Sequence, residues 1–166
     1  MKTVDDLITH CENVIKCDWK YVYGAKGQQL SKDQILALQK QYGKENVPDS
    51  DLSKAGKYCC DCSGLISTCV GGQNYKNTTW FRENAKVSKP INERNSSMKG
   101  WAVYRKGHIG VYDGNDGYYA MDGSSRNMVH YNLSKNNFTE IIKLSDINYD
   151  KWSFFDNLIF FFIKLK

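Results

Sequence analysis

Cysteine is scarce and unevenly placed in this 166-residue chain: six residues, at 11, 17, 59, 60, 62 and 69, and none after Cys69. So small and one-sided a set excludes a disulfide-built scaffold, whose bridges would staple the loops of both halves. Long hydrophobic runs are also missing. The longest, Leu158–Ile163, falls far short of the roughly 20 apolar residues that cross a membrane, so no membrane span is expected. The opening Met-Lys-Thr-Val-Asp-Asp turns acidic where a secretory leader would become apolar. The expectation is a soluble protein made in a reducing cytoplasm.

Neither sign of charge dominates. There are 23 Lys and Arg against 18 Asp and Glu, a net charge of +5, and the basic residues are spread along the chain. That balance suits attraction to an anionic polymer without selecting one. No basic stripe or recognised motif accompanies the aromatics, so no nucleic-acid partner is expected. Internal repeats and low-complexity linkers are absent, and the length suits one domain, residues 1–166. Apolar residues at 41% and charged residues at 25% are ordinary globular values, which exclude a disordered tail, a collagen-like fibre and a coiled coil. A chain this long buries roughly 70% of its unfolded surface, so its core closes without metal or disulfide.

Val4, Leu7, Ile8, Cys11, Val14 and Ile15 recur at helical spacing and predict a helix over 4–16. An aromatic stretch, Trp19 to Gly24, follows. Ser31 and Gln34 form a capping-box pattern ahead of Ile35, Leu36 and Leu38, and Gly43 closes that helix. Residues 44–58 are polar, contain Pro48 and read as a loop. A helix is expected from Asp61-Cys62 to Cys69, stopped by Gly71-Gly72, with a shorter one over 79–86. Then the pattern changes: 101–104, 108–112, 118–122, 128–133 and 138–144 are β-rich and separated by hairpin signals such as Gly114-Asn115-Asp116-Gly117. Helices followed by an antiparallel meander predict an α+β fold.

The cysteines point to no metal. Cys59-Cys60-Asp61-Cys62 holds one C-x-x-C, structural zinc needs four ligands, and Cys11 and Cys17 are wrongly spaced to supply the rest. A thioredoxin-like redox site would need an α/β surrounding that this chain lacks. Most of the cysteines read as small buried hydrophobes. Cys62 differs, because it lies where a loop becomes a helix. Unpaired N–H groups and the dipole at such a terminus favour thiolate over thiol, and they can also receive an oxyanion. Ser63 and Gly64 are small and leave room for a substrate to reach the sulfur. Of the three histidines, His108 opens a strand beside Gly110 and is best placed to act as base. His130 is held in reserve, and His10 reads as an ordinary helix residue. Asp122, on the next strand, is the one polar side chain there that could orient the imidazole; as a residue before Gly123 it reads equally well as part of a turn.

Asp61-Cys62-Ser63-Gly64-Leu65-Ile66 and Gly107-His108-Ile109-Gly110-Val111-Tyr112 together resemble the signature of the NlpC-type cell-wall cysteine peptidases (the NlpC/p-sixty family). Tyr21-Val22-Tyr23-Gly24 is similar to that family's aromatic-glycine motif, and the three motifs occur in the family's order. The resemblance implies a papain-like fold with the Cys62 helix packed on the His108 meander. It implies a triad of Cys62 nucleophile, His108 base and a third polar residue at Asp122, with Tyr21 and Ser63 at the oxyanion and substrate side and no cofactor. The implied substrate is bacterial peptidoglycan, cut between D-γ-glutamate and the following diamino acid by a monomeric, endolysin-like hydrolase that reaches the wall after release or by another export route. An amidase of another papain-like branch and a decayed wall-binding module are the alternatives. Three departures stand out. The turn after the His108 strand is longer than usual, so Met121 could take the third slot and displace Asp122. Residues 28–57 form an insertion, expected to wall the substrate groove. The apolar end, 151–166, reads as a last strand or an altered tail.

Overall fold

Side-chain caps decide where the helices begin in the computed structural model of the chain, which describes residues 1–71 and 76–150. Thr3 Oγ1 accepts the Asp6 N–H at 3.2 Å while Asp6 accepts the Thr3 N–H at 2.8 Å, and helix α1 (Val4–Lys16) starts there. Such a reciprocal box satisfies N–H groups that a first turn leaves without helical partners. Ser31 and Gln34 do the same for α2 (Lys32–Tyr42), which ends at Gly43 with φ of 83°. Asp61 caps α3 (Cys62–Val70), which ends at Gly71 with φ of 71°. Asn77 caps α4 (Thr78–Glu83), shorter than the sequence suggested. Gly72 and residues 151–166 lie outside the described residues, and so does the expected last strand or tail.

The strands are β1 (Lys2–Thr3), β2 (Lys20–Tyr21), β3 (Lys26–Gln29), β4 (Tyr58–Cys60), β5 (Val87–Pro90), β6 (Ala102–Arg105), β7 (His108–Tyr112), β8 (Gly117–Met121), β9 (Met128–Asn132), β10 (Glu140–Lys143) and β11 (Ile147–Asn148). Six of them form one antiparallel sheet in the order β5-β10-β6-β7-β8-β9. A second, small sheet runs β2-β4-β3, and β1 pairs with β11. The fold is thus α+β, with α3 packed on β7 and β8 of an antiparallel meander.

Apolar alternation on these strands separates two core layers. Ile109, Val111, Tyr119 and Met121 face α1 and α3, joining Leu7, Cys11, Leu65 and Ile66. The opposite face gathers Val103, Tyr112, Tyr118, Ala120 and Phe138. Each fully buried Leu or Ile contributes roughly 1.5–3 kcal/mol by leaving water. Val22, Ala25, Leu30, Ile35, Val47 and Cys59 form a third cluster beneath the 28–57 segment. That segment is not the plain loop expected over 44–58. Asp49–Lys54 form a 3-10 helix with Asp51 and Lys54 buried, and Tyr58–Cys60 pair on both sides in the small sheet.

Candidate active site

Strand β4 delivers the chain directly to the start of α3. Asp61 Oδ1 accepts the Gly64 N–H at 2.7 Å and the Ser63 hydroxyl at 2.8 Å, and its Oδ2 accepts the Gly24 N–H at 3.2 Å. Cys62 is therefore the first residue of the helix, with its neighbours held by the cap. Only 7% of it is exposed. Burial raises the thiol to about 12, and the adjacent Asp61 charge pushes the same way; the backbone N–H groups of Ile109, Ser63 and Cys62 itself oppose them. This corrects the expectation that the helix terminus alone would favour thiolate, because desolvation outweighs it here. The Ile109 N–H also locates the sulfur: it lies against β7, beside the residue that follows His108.

Hairpin register places the other two residues. Val111 pairs with Tyr119 and Tyr112 with Tyr118, and the same register continued down the hairpin sets Asp122 opposite His108. Side chains opposite one another share a face. His108 Nε2 lies 2.9 Å from Asp122 Oδ1, with the two side chains 9% and 2% exposed. Met121, one residue earlier, points to the other face and is fully buried against α3. The longer turn has therefore not moved Asp122 away from His108. Two more groups face the carboxylate: Asn136 Nδ2 donates to Oδ1 at 3.3 Å, and Arg126 Nε is 3.0 Å from Oδ2. The His108 and Arg126 contacts have ion-pair separations but fall outside hydrogen-bond alignment, and such bonds often tighten only when substrate is bound. Phe138 stacks on the imidazole, centroids 5.6 Å apart.

Tyr21 packs against the cluster that contains Cys62. Its phenol is pushed well above the ordinary tyrosine range by burial first, then by the nearby charges of Cys62 and Asp61. Its backbone is held at both ends: the N–H donates to Asn127 Oδ1 at 3.0 Å, and the carbonyl accepts from Lys54 Nζ at 2.6 Å. Ser63 is buried with its hydroxyl on Asp61, so what it turns toward the sulfur is its backbone N–H. Gly64 opens no space for a substrate. A Cβ there would stand 2.9 Å from Cys60 Cβ and 3.0 Å from the Ala25 carbonyl, so its smallness lets α3 approach β4 closely.

The remaining histidines are elsewhere. His130 pairs with Asp113 at 2.8 Å and stacks on Tyr119, while His10 bonds Thr68 at 2.9 Å. Arg126, Asn127, Asn136, Asp51 and Lys54 surround the site without having been expected. All sit in polar loops or a short 3-10 turn, where no periodicity marks a side chain as inward-facing. Among the described residues, no group of three or more His, Cys, Asp or Glu could hold a metal. A cleft of about 640 Å³ lined by Trp101, Lys143 and Tyr149 opens at the Asp113–Asn115 end of β7, away from His108, and includes none of the site residues.

No family model matches the chain, and no curated protein matches it. Among solved structures it is similar to the P60 domain of Mycobacterium avium subspecies paratuberculosis antigen MAP1204, at 19% identity and a TM-score of 0.49, over 83% of this chain and 96% of that one. It is also similar to the peptidoglycan hydrolase RipB from Mycobacterium tuberculosis, at 20% identity and a TM-score of 0.47, over 84% of this chain and 66% of that one. At these values no residue role carries over.

Proposed function

We propose that the chain is a cysteine hydrolase that cleaves peptidoglycan stem peptides, at the bond between D-γ-glutamate and the following diamino acid. One juxtaposition carries the reading. A thiol at a helix N-terminus lies against the Ile109 N–H, and the preceding residue, His108, has its Nε2 2.9 Å from a buried carboxylate. With Nε2 turned to Asp122, Nδ1 is the nitrogen left to exchange a proton with Cys62. His108 takes the thiol proton as the sulfur attacks the peptide carbonyl. Because burial favours the thiol, base assistance supplies the nucleophile rather than a standing thiolate. The backbone N–H of Cys62 and the Tyr21 hydroxyl receive the developing oxyanion. His108 then gives its proton to the leaving amine, and water releases the acyl group from Cys62.

The substrate class rests on the Asp61–Ile66, Gly107–Tyr112 and Tyr21–Gly24 motifs, and a net charge of +5 suits an anionic wall. The protein acts on the wall after release or export by another route. Synthetic stem peptides test the reading. Wild type should split L-Ala-D-γ-Glu-diamino acid peptides at the γ-glutamyl bond, and His108→Ala should be inactive with its circular dichroism unchanged. Release of intact stem peptide from purified peptidoglycan, with the synthetic peptides left uncut, would instead assign amidase activity. Wild-type rates from His108→Ala would remove the base.

A further inference from the structure

Lys54 is an amine almost fully buried in a polar loop segment, 8% exposed, beside Asp51 at 0%. All three protons an ammonium can offer are used. They go to Asp51 Oδ1 at 2.6 Å, the Tyr21 carbonyl at 2.6 Å and the Ser124 carbonyl at 2.8 Å. Asp51 Oδ2 in turn accepts the Ser124 hydroxyl at 3.0 Å. A buried ion pair is a poor source of net stability, since desolvation offsets much of its attraction; what it supplies is a defined geometry. Here the geometry joins three separate pieces of chain: the 28–57 segment, β2, and the turn after β8.

The two pieces held by the ammonium flank the site: one carries Tyr21 and the other follows Asp122. Tyr21 lies with Cys62, and its N–H reaches Asn127 on the same turn as Ser124. That turn leaves directly from Asp122, whose N–H bonds the Asn127 carbonyl at 2.8 Å and whose carboxylate meets Arg126. We propose that Lys54, with Asp51, is a positioning residue for the reaction, fixing Tyr21 beside Cys62 and holding the 123–127 turn so that Asp122 stays against His108. The proposal rests on the cysteine-hydrolase reading above. It also gives the 28–57 segment a task at the site.

The test is the rate at which iodoacetamide labels Cys62 at pH 7, read by peptide mass spectrometry. It compares wild type, His108→Ala, and the double variant Asp51→Asn/Lys54→Met, which removes both buried charges together. Wild type should label faster than His108→Ala, and the double variant should lose about tenfold, as small misplacements in a reacting pair do. Adding Asp122→Ala to the double variant should cost nothing further. A site merely loosened would expose the buried thiol and label faster. Unchanged or faster labelling, or a loss that adds to that of Asp122→Ala, overturns the proposal and leaves the hydrolase reading intact. Wild type labelling no faster than His108→Ala overturns that reading and the proposal with it. If circular dichroism shows the double variant unfolded, Ser124→Ala is measured the same way and should lose about threefold; no loss there overturns the proposal.

Discussion

At Cys62, burial and the Asp61 charge hold the proton on while three backbone N–H groups pull the other way, and the outcome is a thiol raised to about 12. A group in that state needs a base. In His108→Ala, Cys62 labelling should be slow at neutral pH and rise only as pH approaches about 12; labelling at pH 7 as fast as in wild type would overturn His108 as the base and the hydrolase reading with it. Asp61→Asn keeps an acceptor for the Gly64 N–H but removes the like charge, so the labelling profile should move to lower pH. A move upward would contradict the assigned cause. Asp122→Ala should lower kcat at least about tenfold, or roughly 1.4 kcal/mol, since it removes the carboxylate that stands 2.9 Å from His108 Nε2. Cys62 and His108 were legible because each stands at a visible junction, loop to helix and turn to strand. Lys54 and Asp51 were not, because one buried ion pair in a polar segment leaves no pattern in sequence.

The helices and the central meander follow from local signals. The Ser31–Gln34 box, the Asp61 cap, Gly43 and Gly71 are each sufficient to set an end, and Gly114–Gly117 sets the hairpin that brings Asp122 to His108. Elements made by distant pairing were not legible. Strand β5 reads Val-Ser-Lys-Pro, mostly exposed, and exists because β10 offers it an edge, where proline is tolerated. The two-residue strands β1 and β11 depend on each other across the length of the described chain. Gly64 was misread for a related reason: its contacts, Cys60 and the Ala25 carbonyl, belong to other elements. Gly64→Ala should therefore destabilise the protein by about 1–3 kcal/mol, as overpacking does, and lower Tm. An unchanged Tm would mean that α3 can move off β4 freely.

For the whole molecule, the buried thiols share one direction of shift. Cys59 and Cys69 are raised to about 11 and Cys62 to about 12, while Cys11 and Cys60 are held well above the ordinary thiol range, in every case mainly by burial. Above pH 9 the unfolded chain loses protons that the folded one keeps, so stability is fully present below about 9 and falls as pH rises toward 11 and 12. Urea midpoints should hold steady from pH 7 to 9 and then decline; a flat profile to pH 11 would contradict the burial of these thiols. The α+β layers hold one helix end against one hairpin, and we propose that this junction cuts peptide bonds in the bacterial wall. Its most direct test is digestion of purified peptidoglycan by wild type and by Cys62→Ala, with fragments identified by mass spectrometry. The account predicts γ-glutamyl cleavage products with wild type alone. No fragments from either protein, across walls of differing chemistry, would contradict it.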